Sequence, residues 1–64
     1  MKWTDVQEIA IELSEQYPEC DPLTLSFVTL KEFVLELEGF DDDPAHSGER
    51  VLEAIQQAWI DEMD

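Results

Sequence analysis

A chain of 64 residues holds one domain, here residues 1–64, and buries only a modest core. Its hydrophobic share of 44% is that of a globular protein, so composition does not impose disorder. Seventeen acids stand against Lys2, Lys31 and Arg50, a formal charge of −14 that repels phosphate backbones and anionic lipid and attracts cations and basic protein surfaces. A single cysteine, Cys20, excludes an internal disulfide and with it a small stapled secreted fold. MKWTDVQEIA reads as neither a signal peptide nor a transit peptide, and no apolar run approaches the ~20 residues a bilayer requires. The expected location is the cytoplasm.

The first helix is announced by Thr4, with Gln7 three residues on completing a T-x-x-Q capping box. Val6, Ile9, Ala10, Leu13 and Tyr17 recur at helical spacing and define its apolar face; Pro18 ends it. Asp5, Glu8, Glu12 and Glu15 fall together on the wheel, away from that face, as an acidic stripe. Its first reading is a solvated outer face and its second a docking face.

Residues 21–29, DPLTLSFVT, read as a turn and connector, because an isolated Leu23/Leu25/Phe27 alternation has no partner strand; irregular structure or a short helical turn is expected. A second helix is expected after Thr29, with Glu32 completing T-x-x-E and Leu30, Phe33, Val34 and Leu37 facing inward. Gly39 suits the left-handed position that ends a helix. In FDDDP, Phe40 reads as an inward anchor, Asp41, Asp42 and Asp43 as a concentrated negative charge, and Pro44 as a stiffener. Ser47 is the expected cap of a third helix, with Glu49 in its first turn and Val51, Leu52, Ile55, Trp59 and Met63 on its apolar face. Three short amphipathic helices make an all-α fold, a small helical bundle.

Catalysis finds little support in these residues. Cys20 and His46 lie in different loops, outside any recognisable elbow or triad, and with only Gly39 and Gly48 there is no glycine-rich phosphate loop. Cys20 reads as a loop or core thiol and His46 as a surface residue. Zinc lacks its usual Cys and His ligands. An EF-hand loop counted from Asp41 fails, with Ala45 at its fifth place and His46 where glycine belongs. What remains is an open, weak carboxylate site for a hard or borderline divalent ion, ferrous iron included. Against it stands the reading of Asp41–Asp43 as a solvated loop that helps cap the third helix.

The ordered set KWTD, YP-x-x-DP, a Phe-centred connector, FDDDP and LEAI-x-x-x-W-[IL]-DE resembles the IscX (YfhJ) family of bacterial iron–sulfur assembly proteins over practically the whole chain. The matching positions are Trp3, Thr4 and Asp5; Tyr17, Asp21 and Pro22; Phe40 to Pro44; and Leu52, Glu53, Ala54, Ile55, Trp59, Asp61 and Glu62. The connector departs from the family's V-R-F-T-D-L: Ser26 replaces a basic residue and Thr29 an aspartate. Phe33 stands for a tryptophan, and Gly48 follows Ser47 where asparagine is usual.

The resemblance implies a three-helix fold related to winged-helix folds, binding to the cysteine desulfurase IscS, weak binding of iron through surface carboxylates, and a non-enzymatic adaptor or regulatory role overlapping with bacterial frataxin. The candidate metal residues are Asp5, Glu8, Asp41, Asp42, Asp43, Asp61 and Glu62; the candidate partner-binding residues are Asp5, Glu8, Glu12, Asp41, Asp42, Asp43 and Glu53. The implied cofactor is weakly held ferrous iron. The expected partner is the desulfurase, met by a monomer in competition with frataxin, with no nucleic acid and no membrane. Ile11 and Leu35, off the helix stripes, could add an apolar contact. Two rivals share the charge: an acidic nucleic-acid mimic that inhibits a basic protein, and a simple divalent-cation buffer. A winged-helix DNA binder would need basic residues on its third helix, which has only Arg50.

Overall fold

In the computed structural model, which describes residues 1–63, three helices run in order: α1 (Val6–Gln16), α2 (Phe27–Leu35) and α3 (Glu49–Glu62). Two single 3-10 turns, Pro22–Thr24 and Pro44–His46, precede α2 and α3. No strand occurs among the described residues, which form an all-α three-helix bundle without a wing. α1 and α3 form the most extensive pairing, and α2 closes over both.

The apolar periodicity of the sequence becomes a single core. Ile9, Ala10 and Leu13 of α1 meet Leu30 and Val34 of α2 and Leu52, Ile55, Ala58 and Trp59 of α3, with Trp3 and Leu37 closing the ends. Each large side chain buried this way stabilises by about 1.5–3 kcal/mol, which is what a domain of this size depends on. Trp59 is wholly buried, and its indole N–H has no acceptor among the described residues. Phe33, expected in the core, is half-buried instead and stacks on Tyr17 with ring centroids 4.2 Å apart and planes 10° from parallel. Met63, expected on the apolar face of α3, is exposed at the C-cap, past the end of the helix at Glu62.

All three helix starts differ from the expected ones. Thr4 makes no capping box. Asp5 occupies the N-cap position, yet its carboxylate turns back to accept the Lys2 N–H at 2.8 Å. The Asp5 N–H in turn donates to the Lys2 carbonyl at 2.9 Å, so the chain closes a turn that drops Trp3 into the core. In α2 the cap is Ser26, whose Oγ accepts from the Thr29 N–H at 3.2 Å; Thr29 lies inside the first turn rather than before it. The helix thereby takes in Phe27, and the 3-10 turn at Pro22–Thr24 is the short helical turn expected of the connector. In α3 the cap is Gly48 without a side-chain bond, since the Ser47 hydroxyl is donated to the Pro44 carbonyl at 2.9 Å.

Gly39 does lie in the left-handed region, at φ 87°, where a side chain would be strained. It serves a turn closed by Phe40 N–H to Leu37 carbonyl, after α2 has ended at Leu35. Phe40 then packs edge-on against Trp3 at 4.8 Å, the inward anchor expected of it.

Candidate functional site

The acids fall into two groups that differ in what their oxygens do. In the loop, the charge concentrated at Asp41–Asp43 is largely occupied. Asp42 accepts the Trp3 N–H at 3.0 Å through Oδ2, and the Asp43 N–H at 2.7 Å and the His46 ring at 3.2 Å through Oδ1. These bonds favour the ionised form, so the Trp3 N–H first, the Asp43 N–H second and His46 after them hold its carboxyl below the usual value of 3.8. Asp43 caps the following 3-10 turn by accepting the Ala45 N–H at 2.9 Å, while its carbonyl accepts the Trp3 indole N–H at 2.8 Å. Only Asp41 extends fully into solvent, where it pairs loosely with Lys2 at 3.6 Å.

The same segment is tied to the start of the chain from end to end. The Met1 ammonium donates to the Gly39 carbonyl at 2.7 Å and the Asp41 N–H to the Met1 carbonyl at 2.8 Å; the Lys2 ammonium also reaches the Asp41 carbonyl. Residues 1–3 and 39–43 thus lie side by side although nearly forty positions separate them, and Trp3 is the pin through both.

The glutamates of α1 form no such bonds with described residues, and Asp5 at its N-cap is engaged only by the Lys2 N–H. Asp5, Glu8 and Glu15 are exposed and Glu12 is half-buried; none forms an ion pair with a described residue. Asp5 and Glu8 share a shallow surface hollow with Ile11, which is 40% exposed, so an apolar side chain flanks the stripe. Leu35, the other apolar residue expected on the surface, is half-buried against the core. On α3, Glu53, Asp61 and Glu62 are exposed, and Asp61 accepts from the Gln57 amide at 3.3 Å. Cys20 is half-buried against the core and His46 is exposed, both as expected.

A metal centre requires several of these groups to converge. Among the described residues no three His, Cys, Asp or Glu side chains come close enough to hold an ion. The three aspartates adjacent in sequence diverge in space, because Asp42 and Asp43 each turn toward backbone N–H groups. The donor set fits a loosely associated oxygen-liganded cation and does not fit a resident, enclosed one. Reasoning from sequence missed the Asp42–Trp3 link and the exposure of Leu23 and Val28, 69% and 70%. Asx-type capping potential in DDDP was the available signal for the loop's internal bonds; the bond to Trp3 had no local signal.

No helix among the described residues is long and apolar enough to cross a membrane. Residues 1–64 match the family profile described as iron-sulphur cluster assembly. A protein of Pseudomonas aeruginosa, named as the uncharacterized protein PA3808, is 61% identical over 64 residues, covering 100% of this chain and 97% of its own length. The likeness thus spans every motif in order, from KWTD to the closing W-I-D-E, and the chain belongs to the iron-sulphur cluster assembly family, the IscX (YfhJ) family.

Proposed function

We propose that this protein is a cytoplasmic, monomeric, non-catalytic adaptor of iron–sulfur cluster assembly that docks its α1 acidic face on a basic patch of the cysteine desulfurase IscS. The observation that carries this reading is the row Asp5, Glu8, Glu12 and Glu15, none of which is ion-paired with a described residue, on a chain of formal charge −14. A field of that sign accelerates encounter with a cationic surface and selects against anionic ones. Ile11, which lines the same hollow as Asp5 and Glu8, adds an apolar contact at the edge of the stripe. Asp41 and Glu53 add to the field as exposed anions, whereas Asp42 and Asp43 serve mainly to shape the loop.

Ferrous iron enters this reading as a weakly held cargo. Dispersed carboxylates, Asp5, Glu8, Asp41, Asp61 and Glu62 among them, concentrate a divalent ion near the surface without enclosing it, and exchange follows easily. Bound cations offset part of the negative charge, so iron loading weakens docking. Competition with frataxin follows wherever the two acidic proteins need the same basic ground.

The test is binding of purified desulfurase by the triple variant Glu8→Gln, Glu12→Gln, Glu15→Gln at low salt. Exposed charge pairs contribute about 0.2–1 kcal/mol each, so the three together shift the affinity by about 0.6–3 kcal/mol, roughly three- to 150-fold. Unaltered affinity removes α1 from the interface.

A further inference from the structure

The acids are not spread evenly. From Pro22 to Lys31 there is no acid at all and one base; from Arg50 to Ile60 there is one of each, Arg50 and Glu53. These two stretches face each other. The 3-10 turn Pro22–Thr24 and the start of α2 lie along α3, and an open groove runs between them, with Leu23, Phe27, Ala54 and Ile60 as its apolar surface and Arg50 and Glu53 at its edge. The side chain of Gln56 donates to the Pro22 carbonyl at 2.8 Å and fixes one wall to the other. Leu23, which lines the groove, is 69% exposed, and among the described large apolar residues only Val28, next to Phe27 in the chain, is more so at 70%. Arg50 forms neither an ion pair nor a side-chain hydrogen bond with any described residue, although Glu49 and Glu53 are its neighbours in the helix.

We infer that this groove is a second docking surface, and that its occupant is an apolar segment of a partner protein carrying one carboxylate that pairs with Arg50. Charge complementarity selects that occupant. A basic segment is drawn to the acidic remainder of the molecule and meets an unpaired guanidinium here. A second copy of the chain brings a further −14 and is repelled as a whole. A guanidinium beside an apolar floor suits a carboxylate, which it can grip with two parallel hydrogen bonds while apolar neighbours cover Leu23 and Phe27. Since the wall-to-wall bond from Gln56 is already made, binding orders little of the groove. The inference goes beyond the desulfurase reading and uses none of its residues except Glu53, so the two can fail separately.

The experiment places a photo-crosslinking p-benzoylphenylalanine at Leu23 in the full chain in cells, with the exposed Glu38, which lies in neither proposed surface, as the control position. The captured peptide is sequenced by mass spectrometry. A segment of another protein, apolar with an Asp or Glu within a few residues, is expected at position 23 and not at position 38. Adding Arg50→Glu lowers the yield about tenfold, while Arg50→Lys retains much of it. The same label at Ala54, an exposed residue of the groove, repeats the measurement should the Leu23 variant fold poorly. Capture of this chain's own second copy, of a basic segment, of the same peptides at both positions, or of nothing above the control overturns the inference.

Discussion

The Asp41–Asp43 loop and the α1 stripe contain the same chemical groups and put them to opposite uses. In the loop, carboxylate oxygens substitute for missing backbone partners: Asp42 accepts from Trp3 and Asp43, and Asp43 accepts from Ala45. On α1 the helix already satisfies its own backbone through the ladder, and the carboxylates of Glu8, Glu12 and Glu15 remain free for a partner. A run of adjacent acids is therefore a poorer sign of a binding site than acids spaced three or four apart. Adjacency favours turning inward to cap, whereas helical spacing forces a common outward direction.

The largest expected effect breaks the link between the loop and the core. Trp3→Ala removes a ring that is 2% exposed together with the indole donor to the Asp43 carbonyl, while the backbone N–H that Asp42 accepts remains, and costs about 3–5 kcal/mol, most of the stability of a domain this small. Urea titration followed by circular dichroism measures it. A loss under 1 kcal/mol, set against the usual range for such truncations, would show that the loop holds its shape without the pin.

Next in size is Asp42→Asn, read as a function of pH. The folded carboxyl has a lowered pKa, so its ionised form contributes stability that is present above about 3.8 and is lost as pH falls through the folded value. The melting temperature of the wild type should exceed that of the variant at neutral pH, and the gap should close in acid below that window. Comparing the two chains at each pH cancels the relief of repulsion among the other acids, which they share. A constant gap across the range contradicts the role given to the charge.

The stripe should behave in the opposite manner. The triple Glu→Gln variant that weakens desulfurase binding should leave stability within about 0.5 kcal/mol of wild type, or raise it, because exposed unpaired charges only repel one another. A marked loss of stability would make the stripe structural, like the loop. The smallest effect belongs to salt. Moderate sodium chloride should raise the melting temperature of the wild type by screening self-repulsion, and raise that of the stripe variant less. A fall instead gives the Lys2–Asp41 pair more weight than its 3.6 Å, solvent-exposed geometry suggests.

Much of this fold was legible. Ile9, Ala10 and Leu13, Leu30 and Val34, and Leu52, Ile55 and Trp59 are buried as their spacing predicts, and Phe40 and Gly39 serve the anchor and left-handed roles expected of them. Helix starts were not, although each segment carries cap-forming residues. Thr4, Thr29 and Ser47 all have the right chemistry, but a hydroxyl caps only if nothing nearer uses it, and neighbouring turns decided otherwise. The stripe was legible because three- and four-residue spacing is a local property. The division of labour within DDD was not, because the group that engages Asp42 is 39 residues away.

By itself the sequence determined the helical class, the core-facing positions and the size and sign of the charge, since each follows from residue type and a repeat of a few positions. Only the tertiary structure decided which carboxylates remain available and that an apolar groove opens on the one side poor in acids. Those outcomes depend on contacts between segments distant along the chain, where packing of a bulky ring or a shared hydrogen bond overrides what any local pattern prefers.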